Sequence, residues 1–567
     1  MTKKAVAAVL EEIAVLLELS GENPFKARSY TNVARALEQH EEDIDTLVRE
    51  KRLRQIKGVG DALEQKIEEL VTTGKLGYHE ELRARFPESL FELFKIPGLG
   101  AKRIKTLYED MKIETLVQLE NACTRGTIAE LKGFGDKMQQ KILDGITFAR
   151  RHQGMFHVHK ALAEATRLRD WLTKETSVIR IEIAGSLRRR KEVIKDIDIV
   201  ASSKKPEALM KRFVEAEGVD HITGHGETKS SVVLKSGIAA DLRVVTDEEF
   251  PYALHHFTGS KDHNVAMRQR AKDRHLKMNE YGLFSGDTLV KCKDETAIFK
   301  KLGLPYIPPE LREDLGELEL EQTPRLVEQG DLVGLIHCHS TYSDGTATIE
   351  QMARAAKDRG YKYMVLADHS QTAAYAGGLV PAAVRKQHKE IDSINDKLKG
   401  FRVFKCIESD IRADGSLDYD DDLLKSFELI IASVHSGLTM TEAEATKRVV
   451  KAIENPYSAI LGHLTGRLLL AREGYPLDME KVVDACVRNR VAIEINANPH
   501  RLDMDWRHIR RARDQGAMFS IGPDAHSIEG IDDVQYGVGI ARKGWLGPEH
   551  LINCMSAERL IAWRKGN

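Results

Sequence analysis

The chain of 567 residues contains little cysteine and almost no net charge. Its six cysteines lie far apart and form no Cys-x-x-Cys pair, which excludes a zinc ribbon and argues against a disulfide framework. The 85 Lys and Arg against 87 Asp and Glu give a net charge of −2, which excludes histone-like binding of polyanions through overall charge. No apolar run approaches the length of a membrane span, and Glu11 and Glu12 interrupt the apolar stretch at the start. We therefore expect a reduced, cytoplasmic protein with no membrane partner.

A repeated phrase marks the first 150 residues, whose apolar spacing predicts an all-α region. Each copy places a Gly-x-Gly turn before an amphipathic helix, and the copies are IKGVGDALEQKI (56–67), IPGLGAKRIKTL (96–107) and LKGFGDKMQQKI (131–142). Such a turn lets backbone N–H groups approach a phosphate closely. One copy would equally suit close helix packing, but three indicate tandem helix-hairpin-helix units that bind DNA. Lys66, on the helix after the first turn, could form a Schiff base with an opened abasic sugar, or could simply contact phosphate.

Carboxylates converge in the predicted α/β region that follows. The phrase IEIAGSLRRRKEVIKDIDIV combines a strand, a Gly-Ser turn, an arginine cluster and a second strand. Strand alternation puts Asp196 and Asp198 on one face, and Asp241 interrupts the apolar strand AADLRVV. Three such acids form an oxygen-rich site for two Mg²⁺ or Mn²⁺ ions, which suits phosphoryl transfer. Ser186 and Arg189, just after the turn, suit a triphosphate.

Histidines and acids recur at strand ends in the last region, where seven predicted strands alternate with helices as in a barrel-like α/β domain. Glu408 could bridge ions, and mixed imidazole and carboxylate ligation suits two or three Mn²⁺, Zn²⁺ or Fe²⁺ ions that activate water for phosphoester hydrolysis. Arg467 and Arg501 are candidate phosphate contacts, or members of structural ion pairs. The candidate ligands are His337, His339, Asp344, His369, Glu408, His435, His463, Asp524 and His526.

On these motifs the chain resembles the bacterial and archaeal family X DNA polymerases that end in a polymerase-and-histidinol-phosphatase (PHP) domain. GSLRRRKEVIKDIDIV and HHFTGSKDHNVAMRQRA resemble the nucleotidyltransferase palm and thumb, GVGDALEQKIEEL resembles the abasic-lyase helices, and the strand-end histidines resemble the PHP set. The resemblance implies catalytic metal ligands at Asp196, Asp198 and Asp241, and a Schiff-base lysine at Lys66. It implies nucleotide or template contacts at Gly185, Ser186, Arg189, Phe257, Gly259, Asn264 and Arg268.

The resemblance also implies an architecture and a function. The expected fold is multidomain, with an all-α helix-hairpin-helix region, an α/β palm with thumb, and a distorted (βα)7 barrel. The expected boundaries are 1–80 (lyase-like), 81–150 (further helix-hairpin-helix repeats), 151–245 (palm), 246–315 (thumb), 316–330 (linker) and 331–567 (PHP).

The implied protein is a monomeric, nucleoid-associated repair enzyme that acts on gapped or nicked DNA, 3′ ends and dNTPs. It would combine gap-filling polymerisation with a metal-dependent 3′–5′ exonuclease or 3′-end phosphoesterase, and possible extensions are abasic-site endonuclease or lyase activity. The alternative is a PHP nuclease or phosphatase whose palm only binds DNA. A non-enzymatic scaffold would show gaps in both metal sets, and the sequence has none.

Overall fold

The computed structural model describes residues 1–40, 42–96 and 98–566, and its contacts divide the chain into two compact units, Met1–Gln153 and Gly154–Asn567. All six cysteines are free, as the sequence predicts. Within the described ranges, no helix combines the length and the apolar character needed to cross a bilayer.

The first unit is helical, which confirms the prediction for this region. Its helices are α1 (Lys3–Leu19), α2 (Pro24–Gln39), α3 (Ile44–Arg49), α4 (Asp61–Thr73), α5 (Gly77–Arg83), α6 (Ala101–Met111), α7 (Leu116–Thr124) and α8 (Gly135–Arg151). The first glycine of each repeated turn has a positive φ, 93° at Gly58, 82° at Gly98 and 89° at Gly133, a conformation that side chains with a Cβ disfavour.

The three turns are not identical. Gly60 and Gly100 cap α4 and α6 in extended conformations, whereas the third helix begins at Gly135 itself, with φ 69°. A Cβ at Gly60, Gly100 or Gly135 would meet nothing within 4 Å, so these backbones are open to a ligand. Pro97 of the second phrase lies outside the described residues.

The second unit begins with a mixed sheet that we call the palm sheet. Its five strands are arranged in the order β2-β4-β7-β6-β5, and β4 and β7 are parallel neighbours. The strands that precede the barrel are β1 (Phe156–His157), β2 (Val178–Ile183), β3 (Val193–Ile194), β4 (Asp196–Ser203), β5 (Val219–His225), β6 (Lys229–Leu234), β7 (Ala239–Val245), β8 (Lys277–Met278), β9 (Leu283–Ser285) and β10 (Thr288–Leu289). The helices are α9 (Val158–Thr173), α10 (Gly185–Arg188), α11 (Pro206–Val214), α12 (Phe250–Thr258), α13 (Lys261–Lys272) and α14 (Glu295–Lys301).

A parallel barrel completes the second unit. The seven strands pair in sequence order, and a bridge between Cys338 and Ala525 joins the first strand to the last. All seven predicted strands are confirmed. Capping boxes of Thr348 with Gln351 and of Thr441 with Glu444 begin two of the intervening helices. The strands are β11 (Gly334–Cys338), β12 (Tyr363–Leu366), β13 (Arg402–Asp410), β14 (Leu429–Ser433), β15 (Ile460–Leu461), β16 (Ala492–Asn496) and β17 (Phe519–Gly522). The helices are α15 (Ile349–Asp358), α16 (Pro381–Lys397), α17 (Asp421–Leu424), α18 (Glu442–Ile453), α19 (Met479–Asn489), α20 (Trp506–Asp514), α21 (Val534–Lys543) and α22 (Ala557–Lys565).

The acidic, proline-containing stretch before the barrel is packed rather than free, unlike the linker that its composition predicts. Glu317 is fully buried and accepts a hydrogen bond from His263 Nδ1 at 2.7 Å. Arg312 is also fully buried and pairs with Glu295. Composition cannot show such partners because they come from distant parts of the chain.

Candidate active sites

Three aspartates meet on the palm sheet. Asp196 and Asp198 are two residues apart on β4, and Asp198 is directly opposite Asp241 on β7. Burial, followed by the nearby charges of Asp196 and Asp241, raises the pKa of Asp198 to about 6. Lys229 Nζ lies 2.6 Å from Asp241 Oδ2. The aspartates therefore form one cluster of negative charge.

Gly185 is required beside this cluster. Its φ is 63°, and a Cβ at this position would lie 2.1 Å from Asp198 Oδ2. Only glycine lets the start of α10 approach the carboxylate so closely. Ser186 follows on the same short helix.

The nucleotide-contact candidates lie on α10, α12 and α13 or directly beside them. The Arg189 side chain is only 12% exposed, its Nε lies 3.0 Å from Glu313 Oε1, and its Nη1 donates to Thr258 O at 2.7 Å. The guanidinium is therefore paired within the protein. Asn264 Nδ2 donates to His256 O at 2.7 Å. Phe257 lies in the last turn of α12 under the guanidinium of Arg243, Gly259 directly follows this helix, and Arg268 lies on α13.

Glu408, at the end of β13, is the centre of the barrel site. It is 1% exposed, and five imidazoles face it. Its Oε1 lies 2.9 Å from His463 Nε2 and 3.2 Å from His435 Nε2, and its Oε2 lies 3.0 Å from His369 Nδ1, 3.5 Å from His337 Nε2 and 3.7 Å from His339 Nε2. A bridging role for this carboxylate is consistent with these distances.

The remaining acids close the cluster from the other side. Asp524 Oδ1 lies 3.1 Å from His339 Nε2, and Asp344 Oδ1 lies 3.2 Å from His526 Nε2. The structure thus brings all nine candidate ligands together. Three groups of donor atoms within it are each close enough to hold an ion: His339 with Asp344, His369 and His526; His337 with His339 and Asp524; and His369 with Glu408 and His435.

Simple strand alternation does not explain how His337 and His339 converge. The pairing of β11 with β12 shifts register between Ile336 and Cys338, the φ of His337 is 71°, and β11 ends before His339. Asp524, which follows β17, also has a positive φ of 54°. The backbone is held in an uncommon conformation at two ligands, a feature typical of functional sites.

The imidazoles and acids of the barrel site balance one another electrostatically. Burial opposes the charged form of His435, but Glu408 and Asp410 outweigh it and raise the pKa of His435 to about 10. Burial likewise opposes ionisation of Glu408, yet the neighbouring histidines, His435 first, hold the pKa of Glu408 well below its usual range. His339 is the opposite case, because burial and then the neighbouring His526 lower its pKa to about 3.

Several residues outside the candidate ligand set support the site. Asp410 accepts a hydrogen bond from His435 Nδ1, and Glu494 accepts one from His337 Nδ1 at 2.5 Å. The fully buried Asp368 accepts hydrogen bonds from Ser340, Ser343 and Gln387 and so fixes the loop after His339. Such partners orient metal-ligating imidazoles. The sequence signals that point to such residues are Asp410, two residues after Glu408, and Asp368, directly before His369.

The two arginine candidates of the barrel differ. Arg467 donates to Arg501 O and Leu502 O and pairs with Asp505, so its role is structural. Arg501 has a single long ion contact, from its Nε to Asp524 Oδ2 at 3.9 Å. Its guanidinium lies beside the cluster and suits a phosphate.

The donor atoms of both sites fit divalent ions. At the barrel site, three buried imidazole nitrogens make no hydrogen bond among the described residues, namely His337 Nε2, His339 Nδ1 and His463 Nδ1. Buried polar atoms are normally satisfied, so these nitrogens suit a metal ion as their partner. In the palm, the mutual repulsion of three carboxylates would be relieved by cations.

Lys66 lies in the helical unit beside a cavity of about 490 Å³ that the turn Gly58–Gly60 and Lys26 also line. Its Nζ lies 4.8 Å from the centre of the Tyr78 ring. The neighbouring position on the same helix face is Ala62, whose carbonyl accepts from Lys66 Nζ at 3.4 Å.

Three features together define the class of this protein, namely the helix-hairpin-helix turns, the three-aspartate site of the palm sheet and the imidazole-rich site of the barrel. They are the features of a DNA-binding enzyme with two separate centres for divalent ions. Profiles of known families match in the same order: a helix-hairpin-helix domain at residues 1–76, a SAM-like helix-hairpin-helix tandem at 90–147, a DNA polymerase beta thumb at 253–313 and a PHP domain at 336–498.

Among curated proteins, the DNA polymerase/3′-5′ exonuclease PolX of Bacillus subtilis (strain 168) is 38% identical over 572 residues, covering 100% of both chains. A repair DNA polymerase X of African swine fever virus is 33% identical over 140 residues, 23% of this chain and 80% of the viral one. A probable phosphatase of Syntrophotalea carbinolica is 29% identical over 229 residues, 38% of this chain and 90% of the phosphatase. The chain belongs to the family X DNA polymerases that carry a C-terminal PHP domain. The predicted family and fold class are thereby confirmed.

Proposed function

We propose that this chain is a repair enzyme that fills short gaps in DNA by template-directed polymerisation and trims 3′ ends with a separate 3′–5′ exonuclease site. The observation that carries the proposal is that two complete ligand sets occur in one chain, one of aspartates and one rich in imidazole. The full-length likeness to the B. subtilis DNA polymerase/3′-5′ exonuclease supports both activities. Its substrates would be gapped or nicked DNA, 3′ ends and dNTPs, and it would act as a monomer with the five domains expected from the sequence.

In the palm, Asp196, Asp198 and Asp241 would hold Mg²⁺ or Mn²⁺, which would stabilise the charge of the transferring phosphoryl group. Asp241 would take the proton of the primer 3′-hydroxyl. The turn of Gly185 and Ser186 would bind the triphosphate together with Arg189, which would exchange Glu313 for a phosphate. Phe257, Gly259 and Asn264 would line the nucleotide, and Arg268 would contact the template.

In the barrel, the nine-residue cluster would hold two or three ions, Mn²⁺, Zn²⁺ or Fe²⁺, which would activate water and neutralise the scissile phosphodiester. Glu494 and Asp410 fix the orientation of His337 and His435 through their Nδ1 atoms. Arg501 would bind a phosphate of the strand being degraded.

A 5′-phosphorylated one-nucleotide gap tests both halves of the proposal. We expect the Asp196→Ala/Asp198→Ala protein to lose extension and keep 3′ degradation, and the His339→Ala protein to do the reverse, because the centres are separate. Circular dichroism would verify that each variant is folded. Loss of both activities in either folded variant would contradict the two-site proposal. Absence of extension by the wild type, with degradation retained, would instead favour a nuclease or phosphatase whose palm only binds DNA.

A second candidate activity is abasic-site lyase chemistry at Lys66, supported by the cavity that this residue lines with Lys26 and the first glycine turn. The Lys66 amine would attack the C1′ aldehyde of an opened abasic sugar and release water to form an imine. Borohydride would then trap a covalent complex with the wild type but not with Lys66→Ala. Equal trapping of both proteins would exclude Lys66 as the nucleophile.

A further inference from the structure

One large aromatic side chain is exposed beside the imidazole cluster of the barrel. Tyr375 is 72% exposed, and its ring centroid lies 6.3 Å from that of His369. Isolated exposed apolar side chains are common on proteins, so the position of Tyr375, rather than its exposure, needs explanation.

The backbone that carries Tyr375 is firmly held. Tyr375 is the middle residue of a 3₁₀ turn, Ala374–Ala376, and the flanking Ala373 and Ala376 are buried. Thr372 Oγ1 donates to Asp410 Oδ2 at 2.8 Å. A Cβ at Gly378 would lie 1.9 Å from Ser370 O, so the loop closes tightly after the turn. The backbone at Tyr375 is therefore fixed in position, while its aromatic ring remains largely exposed to solvent.

The same loop is tied to the ligands themselves. Leu379 N–H donates to His369 O at 2.9 Å, and Asp410, which accepts from Thr372, also accepts from His435. Arg501, whose guanidinium is near enough to this phenol for its charge to act on it, has its Nε 3.9 Å from Asp524 Oδ2. An aromatic surface and an available guanidinium thus flank the ions' ligands.

We propose that Tyr375 binds the terminal nucleotide of the DNA strand in the barrel site by stacking its ring on the nucleobase. Every base has a π face, so a stacking contact suits a nuclease that removes any terminal nucleotide. The contact holds the base while Arg501 and the cluster receive the phosphodiester. This inference rests on the proposed exonuclease function and adds the residue that recognises the base.

The test compares three proteins, wild type, Tyr375→Ala and Tyr375→Phe, with Val380→Ala as a control for a 55% exposed side chain of the same loop. Each protein degrades a single-stranded oligonucleotide with an ordinary 3′ nucleotide and one with a 3′-terminal tetrahydrofuran abasic nucleotide. Each also hydrolyses bis(p-nitrophenyl) phosphate, which has no nucleobase.

We expect Tyr375→Ala to lower kcat/KM on the ordinary oligonucleotide by roughly five- to a hundredfold, through KM, because base–aromatic stacking is lost. The wild type should disfavour the abasic end by a similar factor, and Tyr375→Ala should show no such preference. Tyr375→Phe and Val380→Ala should behave like the wild type on all three substrates.

Three outcomes would overturn the inference while the proposed function stands. One is an unchanged DNA activity in Tyr375→Ala. Another is an equal loss in Tyr375→Phe, which would assign the effect to the hydroxyl. An equal loss by Tyr375→Ala on bis(p-nitrophenyl) phosphate would also overturn it, by placing the defect in the metal cluster. If the wild type degraded no DNA, the proposed exonuclease itself would fall, and the inference with it.

Discussion

The palm and barrel centres use different construction and different charge. The palm centre consists of three acids on two neighbouring strands, with Lys229 in contact with Asp241 and the charge of Arg243 acting on Asp198. The barrel centre draws its ligands from the last residues of several strands and from the loops that follow them, and imidazoles surround its acids. The carboxylates of the palm repel one another, whereas the barrel ligands neutralise one another. The palm therefore needs cations to offset the negative charge of its carboxylates. The barrel ligands balance one another, so this centre needs the ions for catalysis.

Glu408→Gln is the strongest way to break this comparison. The amide cannot serve as an anionic bridge, and it removes the charge that balances five imidazoles. We expect exonuclease activity to fall on the order of a thousandfold while gap filling stays unchanged. Nuclease assays, primer extension and metal content by mass spectrometry on one preparation would check this. Loss of primer extension in a folded Glu408→Gln protein would mean that the two centres are not independent.

Asp410→Asn tests whether the supporting acids matter less than the ligands. Asp410 touches the site through His435 Nδ1, so the ligand itself remains. We expect roughly a ten- to hundredfold loss of exonuclease activity or metal affinity, the usual effect of removing such a partner. Exonuclease titrations with Mn²⁺ on Asp410→Asn and wild type would measure it. A loss as large as that of Glu408→Gln would show that orientation of His435 limits the whole site.

The smallest expected difference between the two centres is in how Mn²⁺ binding depends on pH. Since the pKa of Asp198 is raised to about 6, protons compete with cations at the palm below that pH, and the apparent Kd should rise about tenfold from pH 7 to pH 5 and stay nearly constant above pH 7. At the barrel, the pKa of His435 is raised to about 10 and that of His526 to about 9, so binding must displace protons there and should keep strengthening from pH 7 to pH 9.

Calorimetric titrations of two variants would separate these curves. Asp196→Ala/Asp198→Ala retains only the barrel centre, and His339→Ala/Glu408→Gln retains only the palm centre. Parallel pH curves for the two variants would contradict the electrostatic difference between the sites.

Local patterns predicted much of the architecture. Period-two alternation identified the strands of Asp196, Asp198 and Asp241, and apolar segments between helical stretches identified the seven barrel strands, five of which lead to a histidine. Spacing in the chain could not reveal that the Arg467 guanidinium donates hydrogen bonds to backbone carbonyls, or that Glu317 is buried against His263. Both partnerships join residues that are distant in sequence, where composition and periodicity carry no signal.

The order of apolar strands and polar strand ends is enough to say which side chains gather at one end of the barrel, because every strand of a parallel barrel ends on the same face and six of the seven lead to a candidate ligand there. How these side chains meet depends on the tertiary structure. It sets the positive φ of His337 and Asp524, the central position of Glu408, and the turn that holds Tyr375 at the edge of the imidazole cluster. Residue order fixes periodicity, but side-chain direction at a strand end depends on backbone angles that packing from the rest of the barrel imposes.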